Sequence, residues 1–134
     1  MARILVTGFG PFGSEAINPS GLIAAELSGV VLPVEAAAAW AITQSEVKRR
    51  RATAVLALGV AGGRESVCVE RRAANEADYA LPDDGGQVVH GTLDRRGPVF
   101  LETRLAAAAA VARAIRQRGV LARVSALGRE GACG

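Results

Sequence analysis

The twenty N-terminal residues limit the possible folds of this chain more tightly than any other segment. A short apolar run at residues 4–6 ends in a loop of four backbone breakers and two aromatic residues, namely Gly8, Phe9, Gly10, Pro11, Phe12 and Gly13. Asn18 and Pro19 then signal a helix start, because Asn is a favoured N-cap and Pro suits the first helical position. A buried strand that leads through such a loop into a helix is typical of open α/β sheets, which bind ligands at the carboxyl ends of their strands. Two rings in the loop indicate a flat or apolar ligand.

Hydrophobic patterning along the rest of the chain predicts further strands and helices. Strands are predicted at residues 3–7, 30–34, 54–58 and 120–125, extended chain at 66–74, and helices at 19–28 and 98–117. Residues 35–51 are ambiguous between strand and helix at first, and Thr43 with Glu46 forms a possible capping box for a helix over 43–51. Residues 75–98 are rich in Asp, Gly, Asn and Pro and are predicted to form a long loop.

This order of elements predicts one α/β domain. Alternating strands and helices favour a three-layer α/β/α fold with an open, mostly parallel, twisted sheet. Neither a repeat nor a linker is visible, so residues 1–134 are expected to form a single domain.

Composition excludes several classes of function. The net charge is +3, but the basic residues are dispersed and are not interleaved with aromatics, so we expect no nucleic-acid partner. No apolar run approaches the ~20 residues of a membrane span, and the N-terminus lacks a signal-peptide core, so a cytoplasmic protein without a membrane partner is expected. The two cysteines, Cys68 and Cys133, and the single histidine, His90, fit no metal-binding spacing. We therefore expect neither a metal nor a cofactor.

The glycines of the first loop also match the dinucleotide-binding pattern G-x-G-x-x-G. Glu35 follows the second strand, near where the ribose-binding acid would be expected. This function requires a helix N-terminus at the third glycine, whereas the predicted helix start at Asn18 lies five residues beyond Gly13. A purely structural loop with two core phenylalanines is a further alternative.

A second glycine loop follows the strand at 54–58. It covers residues 59–64, and loops at the carboxyl ends of neighbouring parallel strands converge on one crevice. Glu70 follows this loop in largely apolar surroundings, where a carboxylate can orient a catalytic base. The alternative for Glu70 is a surface ion pair with Arg71 or Arg72.

Three blocks of sequence resemble pyroglutamyl peptidase I, the family of pyrrolidone-carboxylate cysteine peptidases. The blocks are residues 6–13 with 18–20, residues 59–64 with 70–71 and 74–75, and Pro82-Asp83 with Gly85 or Gly86. They occur in the order and at the spacing of the family, and the resemblance extends from residue 3 to about residue 125.

The resemblance implies an activity and a set of site residues. The family has an α/β/α fold, removes N-terminal pyroglutamate from peptides, and uses a Cys nucleophile, a His base and a Glu that orients the His. Glu70 matches the catalytic Glu. Phe9 and Phe12 match phenylalanines of the lactam pocket, Asn18 matches the asparagine after that loop, and Val60 stands where the family usually has Gln. The implied partners are peptides with N-terminal pyroglutamate and further copies of the chain, because the family is commonly tetrameric.

The nucleophile and its base are the least regular part of the resemblance. Counting on from Val124 and Ser125 without gaps places Cys133 at the nucleophile, but residues 128–132 do not resemble the turn that precedes it in the family. The family's histidine lies well beyond that cysteine, and His90 lies well before it. We expect a truncated or frameshifted member without the last elements, a degenerate inactive relative, or a histidine from another subunit. Little or no activity is predicted, and a non-catalytic relative that keeps the pocket or has an assembly role is the alternative.

Overall fold

A computed structural model describes residues 3–104 and 108–125. The strands are β1 Ile4–Phe9, β2 Val30–Leu32, β3 Ala54–Ala57, β4 Val67–Glu70, β5 Arg72–Ala74, β6 Glu76–Asp78, β7 His90–Thr92, β8 Phe100–Glu102 and β9 Ala122–Ser125. The helices are α1 Pro19–Glu26, α2 Ala36–Arg50 and α3 Ala108–Gln117. The described residues form two compact units, the first made of residues 3–60 and 80–88, the second of residues 61–79, 89–104 and 108–125.

The first unit contains a three-stranded parallel sheet in the order β2-β1-β3. The connection through α1 runs from β1 to β2, and the connection through α2 returns from β2 to β3 on the other side of β1. Because such crossovers are right-handed, α1 and α2 lie on opposite faces of the sheet. The chain thus changes direction at β1, and the carboxyl ends of β1 and β3 border the crevice that such a reversal creates. Leu5, Ala24 and Leu32 are buried in the core of this unit.

Two glycines allow α1 to lie directly against the end of β1. A Cβ atom at Gly8 would collide with the backbone carbonyl of Ser20, and a Cβ atom at Gly21 would collide with the carbonyl of Phe9. The first turn of α1 is therefore fixed on the last residues of β1 by backbone contact. This contact determines where the loop between them begins and ends.

Helix α2 resolves the ambiguity of residues 35–51 in favour of a helix that starts at Ala36. The predicted capping box at Thr43 and Glu46 is wrong, because Thr43 lies in the middle of α2 and its hydroxyl donates to the Ala39 carbonyl at 2.7 Å. Glu46 instead forms ion pairs at 2.7 Å with Arg49 and with Arg50, one turn further along.

The second unit combines one parallel pair of strands with two antiparallel pairs. Strands β4 and β9 are parallel, and α3 packs on both of them. Strand β5 pairs with β8 and β6 pairs with β7, each antiparallel. Three of the five described strand pairs are parallel, namely β1 with β2, β1 with β3, and β4 with β9. The prediction of an α/β fold with a mostly parallel sheet is therefore confirmed.

Two predictions for this unit are wrong in part. Residues 75–98 were expected to be a loop, but β6 and β7 lie within them. Residues 98–117 were expected to form one helix, but residues 100–102 form β8 and the described helix begins at Ala108. The three strands β6, β7 and β8 gain their backbone hydrogen bonds from partners more than ten positions away, which local periodicity does not reveal. Residues 126–134, including Cys133, lie outside the described residues.

Candidate active site

The loop after β1, here called the aromatic loop (residues 9–17), is held at its base by three hydrogen bonds. The Phe9 N–H donates to Ser20 Oγ at 3.0 Å, and the Gly10 N–H donates to the Leu32 carbonyl at 3.0 Å. The Gly10 carbonyl accepts from Asn18 Nδ2 at 3.0 Å. These bonds attach the backbone of the loop to the side chains of Asn18 and Ser20 and to the backbone of β2, and neither phenylalanine ring takes part in them.

Asn18 is the N-cap of α1, as the sequence predicts. Its Oδ1 accepts from the Ser20 N–H at 3.1 Å and from Ser20 Oγ at 2.7 Å, while its amide nitrogen bonds the loop. Both ends of the Asn18 side chain are thus engaged in positioning the aromatic loop. The helix begins at Pro19, six positions after Gly13, so its N-terminus is not presented at the third glycine as dinucleotide binding requires.

Four of the predicted site residues lie at the carboxyl edge of the sheet in the first unit. Phe9 is half-buried at the end of β1, Phe12 is 37% exposed, and Val60 is 57% exposed. The chain after β3 continues beside β1, since the Leu58 N–H donates to the Thr7 carbonyl at 2.8 Å. The aromatic loop and the loop after β3 therefore start side by side, at the crevice between β1 and β3. The candidate side chains that they carry, Phe9, Phe12 and Val60, are apolar.

Glu70 ends β4 in the second unit. Its Oε1 lies 3.7 Å from Nη1 of Arg64, and its Oε2 is buried without a hydrogen-bond partner among the described residues. The expected alternative partner Arg72 pairs with Glu102 instead, at 3.0 Å. A buried acceptor without a partner is costly. Glu70 Oε2 is therefore suited to receive an N–H donor.

The single histidine of the sequence is also in the second unit. His90 lies on β7 opposite Asp78 of β6, with Nδ1 2.7 Å from Asp78 Oδ1, and its side chain is 61% exposed. His90 is thus exposed, and it lies on a strand rather than in the long loop predicted for residues 75–98.

Asp83 has a structural role that the sequence analysis did not identify. Its carboxylate accepts backbone N–H bonds from Ala36 at 3.1 Å, Gly85 at 3.0 Å and Gln87 at 2.8 Å. The N–H groups of Gln87 and Ala36 hold the pKa of this carboxyl below its usual value of 3.8. Asp83 thereby caps α2, whose own N-cap residue, Glu35, makes no side-chain cap bond. The Asp-Gly pattern signals a turn, but a partner 47 positions away leaves no local signal.

Neither a metal centre nor a membrane-crossing helix is seen in the described part of the chain. Over residues 3–104 and 108–125, no group of three His, Cys, Asp or Glu side chains is arranged to hold a metal ion. Within the same ranges, every helix is too short or too polar to cross a bilayer.

Comparison with known proteins gives consistent matches. The family model described as pyroglutamyl peptidase matches residues 2–130. A pyrrolidone-carboxylate peptidase of Yersinia pestis is 35% identical over 136 residues, covering 93% of this chain and 63% of the relative. The chain thus spans somewhat less than two thirds of the length of such curated relatives.

Solved structures of pyroglutamyl peptidases have the same fold as this chain. Pyroglutamyl peptidase I of Bacillus amyloliquefaciens superposes with a TM-score of 0.90 at 26% identity, over 99% of this chain and 69% of that one. The pyrrolidone carboxyl peptidase of Thermus thermophilus gives a TM-score of 0.81 at 34% identity, over 96% of this chain and 71% of that one. On the extent of the family match and the identity to its members, this chain belongs to the pyroglutamyl peptidase family.

Proposed function

We propose that the chain recognises peptides whose first residue is pyroglutamate, through Phe9, Phe12, Asn18 and Val60. The observation that carries this proposal is the aromatic loop, whose backbone is held by hydrogen bonds to Ser20, Asn18 and Leu32 at the carboxyl edge of a parallel sheet. Pyroglutamate presents a flat lactam ring without a charged amine. Half-buried aromatic rings offer an apolar surface to such a ring, and nearby backbone groups can bond its N–H and C=O.

The reaction proposed for the complete site is acyl transfer to a cysteine. The Cys133 thiolate attacks the carbonyl carbon after the lactam ring, the shortened peptide leaves as an amine, and water then releases pyroglutamate from the thioester. Backbone N–H groups near the nucleophile stabilise the oxyanion of each tetrahedral intermediate. Glu70 orients the histidine base, and this role is supported by its Oε2, which has no hydrogen-bond partner within residues 3–104 and 108–125 and can accept an imidazole N–H.

A polypeptide limited to these 134 residues is proposed to bind such peptides but to hydrolyse them slowly or not at all. An ordinary thiol has a pKa of about 8.5 and needs a nearby base or helix N-terminus to react near neutral pH. The one histidine of the sequence is His90, whose Nδ1 is engaged with Asp78. The alternative is that the chain is a non-catalytic relative that keeps the pocket or has an assembly role.

Binding and turnover can be measured separately on the 134-residue polypeptide. Titration calorimetry with pyroglutamyl-alanine amide should show saturable binding, and prolyl-alanine amide, which lacks the lactam carbonyl, should bind more weakly. Release of a fluorophore from a pyroglutamyl substrate should stay near the background rate. Robust turnover that is abolished by Cys133→Ala would overturn the proposed inactivity while supporting the assignment of the nucleophile.

Matched variants locate the binding site. Phe12→Ala should weaken binding of the pyroglutamyl ligand, because it removes a ring from the aromatic loop. Phe100→Ala is the control, since Phe100 has nearly the same exposure, 38% against 37%, but lies on β8 in the second unit. Equal loss of affinity in the two variants, or no binding by the unaltered chain, would refute the proposed pocket.

We also propose that residues 1–134 act as one domain in a cytoplasmic homo-oligomer. The support for the oligomer and the location is the resemblance to the family. Light scattering on purified protein at several concentrations tests the oligomer, and a mass of one chain at every concentration would refute it.

A further inference from the structure

The chain between β6 and β7 includes a segment that packs on the first unit, here called the clip (residues 80–88). The Asp84 N–H donates to the Val34 carbonyl at 2.8 Å, and Asp83 Oδ2 accepts from the Ala36 N–H at 3.1 Å. Gly85 lies so close to Glu35 that a Cβ atom there would be 3.0 Å from Glu35 Cγ. The clip therefore contacts Val34, Glu35 and Ala36, where the connection from β2 enters α2.

The same carboxylate also folds the clip. Asp83 Oδ1 accepts the N–H groups of Gly85 and Gln87, and the Asp83 N–H donates to the Gln87 carbonyl at 2.9 Å. The Gly86 N–H donates to the Asp83 carbonyl at 2.8 Å, with Gly86 at a φ of 78°, which favours glycine. This one side chain therefore supplies hydrogen bonds both within the turn of the clip and from the clip to α2.

The clip and the aromatic loop are hydrogen-bonded to residues that lie two to four positions apart in the chain. The aromatic loop bonds the carbonyl of Leu32 through Gly10, while the clip bonds the carbonyl of Val34 and the N–H of Ala36. Residues 32–36 therefore anchor both segments at the carboxyl edge of the sheet. Both attachments therefore depend on the position of this one short segment.

We propose that Asp83 is a positioning residue for the candidate site, which caps α2 and holds the clip beside the aromatic loop so that ligand affinity at the loop depends on it. The effect on affinity rests on the proposed function, whereas the anchoring does not. Asp83 would not touch the ligand and would act through residues 32–36.

The charges around Asp83 favour an ionised anchor at neutral pH. The bonding N–H groups lower its pKa, while the nearby carboxyl groups are those of Glu35 and Asp84. Strand β2 has no charged residue, the first turn of α2 has no acidic one, and the basic residues of α2 are in its last turn. Protonation of Asp83 at acidic pH should therefore weaken the anchor, since a neutral carboxyl accepts these bonds less strongly.

The anchor can be tested without a ligand by following backbone amide resonances against pH. In the unaltered chain the amide protons of Ala36, Gly85 and Gln87 should titrate together, with a midpoint below 3.8. The shared titration should disappear in Asp83→Asn and persist in Asp84→Asn, which removes the same charge one position along and keeps its backbone N–H. Independent midpoints, or a shared titration that survives Asp83→Asn, would overturn the anchor.

The effect on the site is tested by calorimetry with pyroglutamyl-alanine amide. Asp83→Asn should raise the Kd at least about fivefold, as expected for coupling between neighbouring sites, and Asp84→Asn should leave it unchanged. Loss of the shared titration with an unchanged Kd would overturn the positioning role. No binding by the unaltered chain would refute the proposed function and the affinity effect with it, while the titration would still decide the anchor.

Discussion

Glycine is required at position 8 because the first turn of α1 lies directly on the end of β1. The atoms that a Cβ would meet there are the backbone C and O of Ser20 and the backbone N of Gly21, which cannot turn aside as a flexible side chain could. The glycines of the first loop were predicted to serve a ligand site at the strand end, and at Gly8 the structure shows a packing requirement. Gly13, with a φ of 62° and open space around it, is instead required by its backbone conformation.

Gly8→Ala should lower the free energy of unfolding by about 1–3 kcal/mol or more, because the added methyl group must displace backbone atoms. Gly59→Ala is the matched control, since no atom lies within 4 Å of a Cβ at Gly59 and its change should stay within about 0.5 kcal/mol. Urea denaturation of both variants measures the difference. Equal midpoints for the two variants would show that α1 does not approach β1 this closely.

Among the elements, α2 is stabilised at both ends by groups that its local sequence supplies only in part. Its first turn is capped by the distant Asp83, and near its end Glu46 pairs with Arg49 and Arg50 of the last turn. Hydrogen bonds from Arg49, and to a smaller extent from Arg50, lower the pKa of Glu46 from 4.5 to about 2. A carboxyl whose pKa is lowered by folding stabilises the protein above its unfolded pKa and loses this contribution as the pH falls through its folded value.

Glu46→Gln should therefore lower the Tm at neutral pH, and the difference from the unaltered chain should shrink as the pH falls from 4.5 towards about 2. Added salt at neutral pH should also reduce the difference, because the pair is near the surface. Circular dichroism melts over this pH range provide the measurement. Glu26→Gln is the control, because it removes the same charge from α1. An identical pH profile for the two variants would mean that net charge, rather than the ion pairs, is responsible.

The elements that were predicted well are those whose signals are local. Strand β1, the Asn18 cap and the start of α1 follow from adjacent residues; the cap and the helix start are where the sequence predicts, and β1 runs to Phe9, two residues beyond its predicted end. The predicted helix over 98–117 is wrong at its start because Phe100–Glu102 pairs with Arg72–Ala74, some thirty positions earlier. The same limit applies to the site: the aromatic loop was predictable from residues 4–20, whereas the role of Asp83 depends on a partner that sequence spacing does not indicate.

At the scale of the whole molecule, the expectation of a single domain predicts that the whole chain unfolds cooperatively. The described residues cluster into two compact units, and the clip belongs to the first although it connects two strands of the second. Because the chain passes from one unit to the other and back, unfolding of either unit removes the fixed ends of a segment that belongs to the other. We therefore expect the two units to unfold in one transition.

Trp40, the only tryptophan, is on α2 and its fluorescence reports on the first unit. Amide exchange in β4 and β9 reports on the second unit, and both probes should give the same urea midpoint. Trp40→Phe should leave the exchange midpoint in place, because the Trp40 side chain is 64% exposed. A lower midpoint for β4 and β9 than for the fluorescence change would refute the single domain.

The cap of α2 has a consequence for the order of events on the ribosome. Ala36 and Asp83 are 47 positions apart, so the helix is synthesised well before the residue that completes its first turn. At about 5–20 residues per second, translation leaves this turn open for several seconds of elongation. Strand β3 is synthesised within that interval, so that by its end the nascent chain has β1, β2 and β3 but not yet the clip. The first unit therefore reaches its final form only after part of the second unit has been translated, which makes its maturation dependent on the downstream chain.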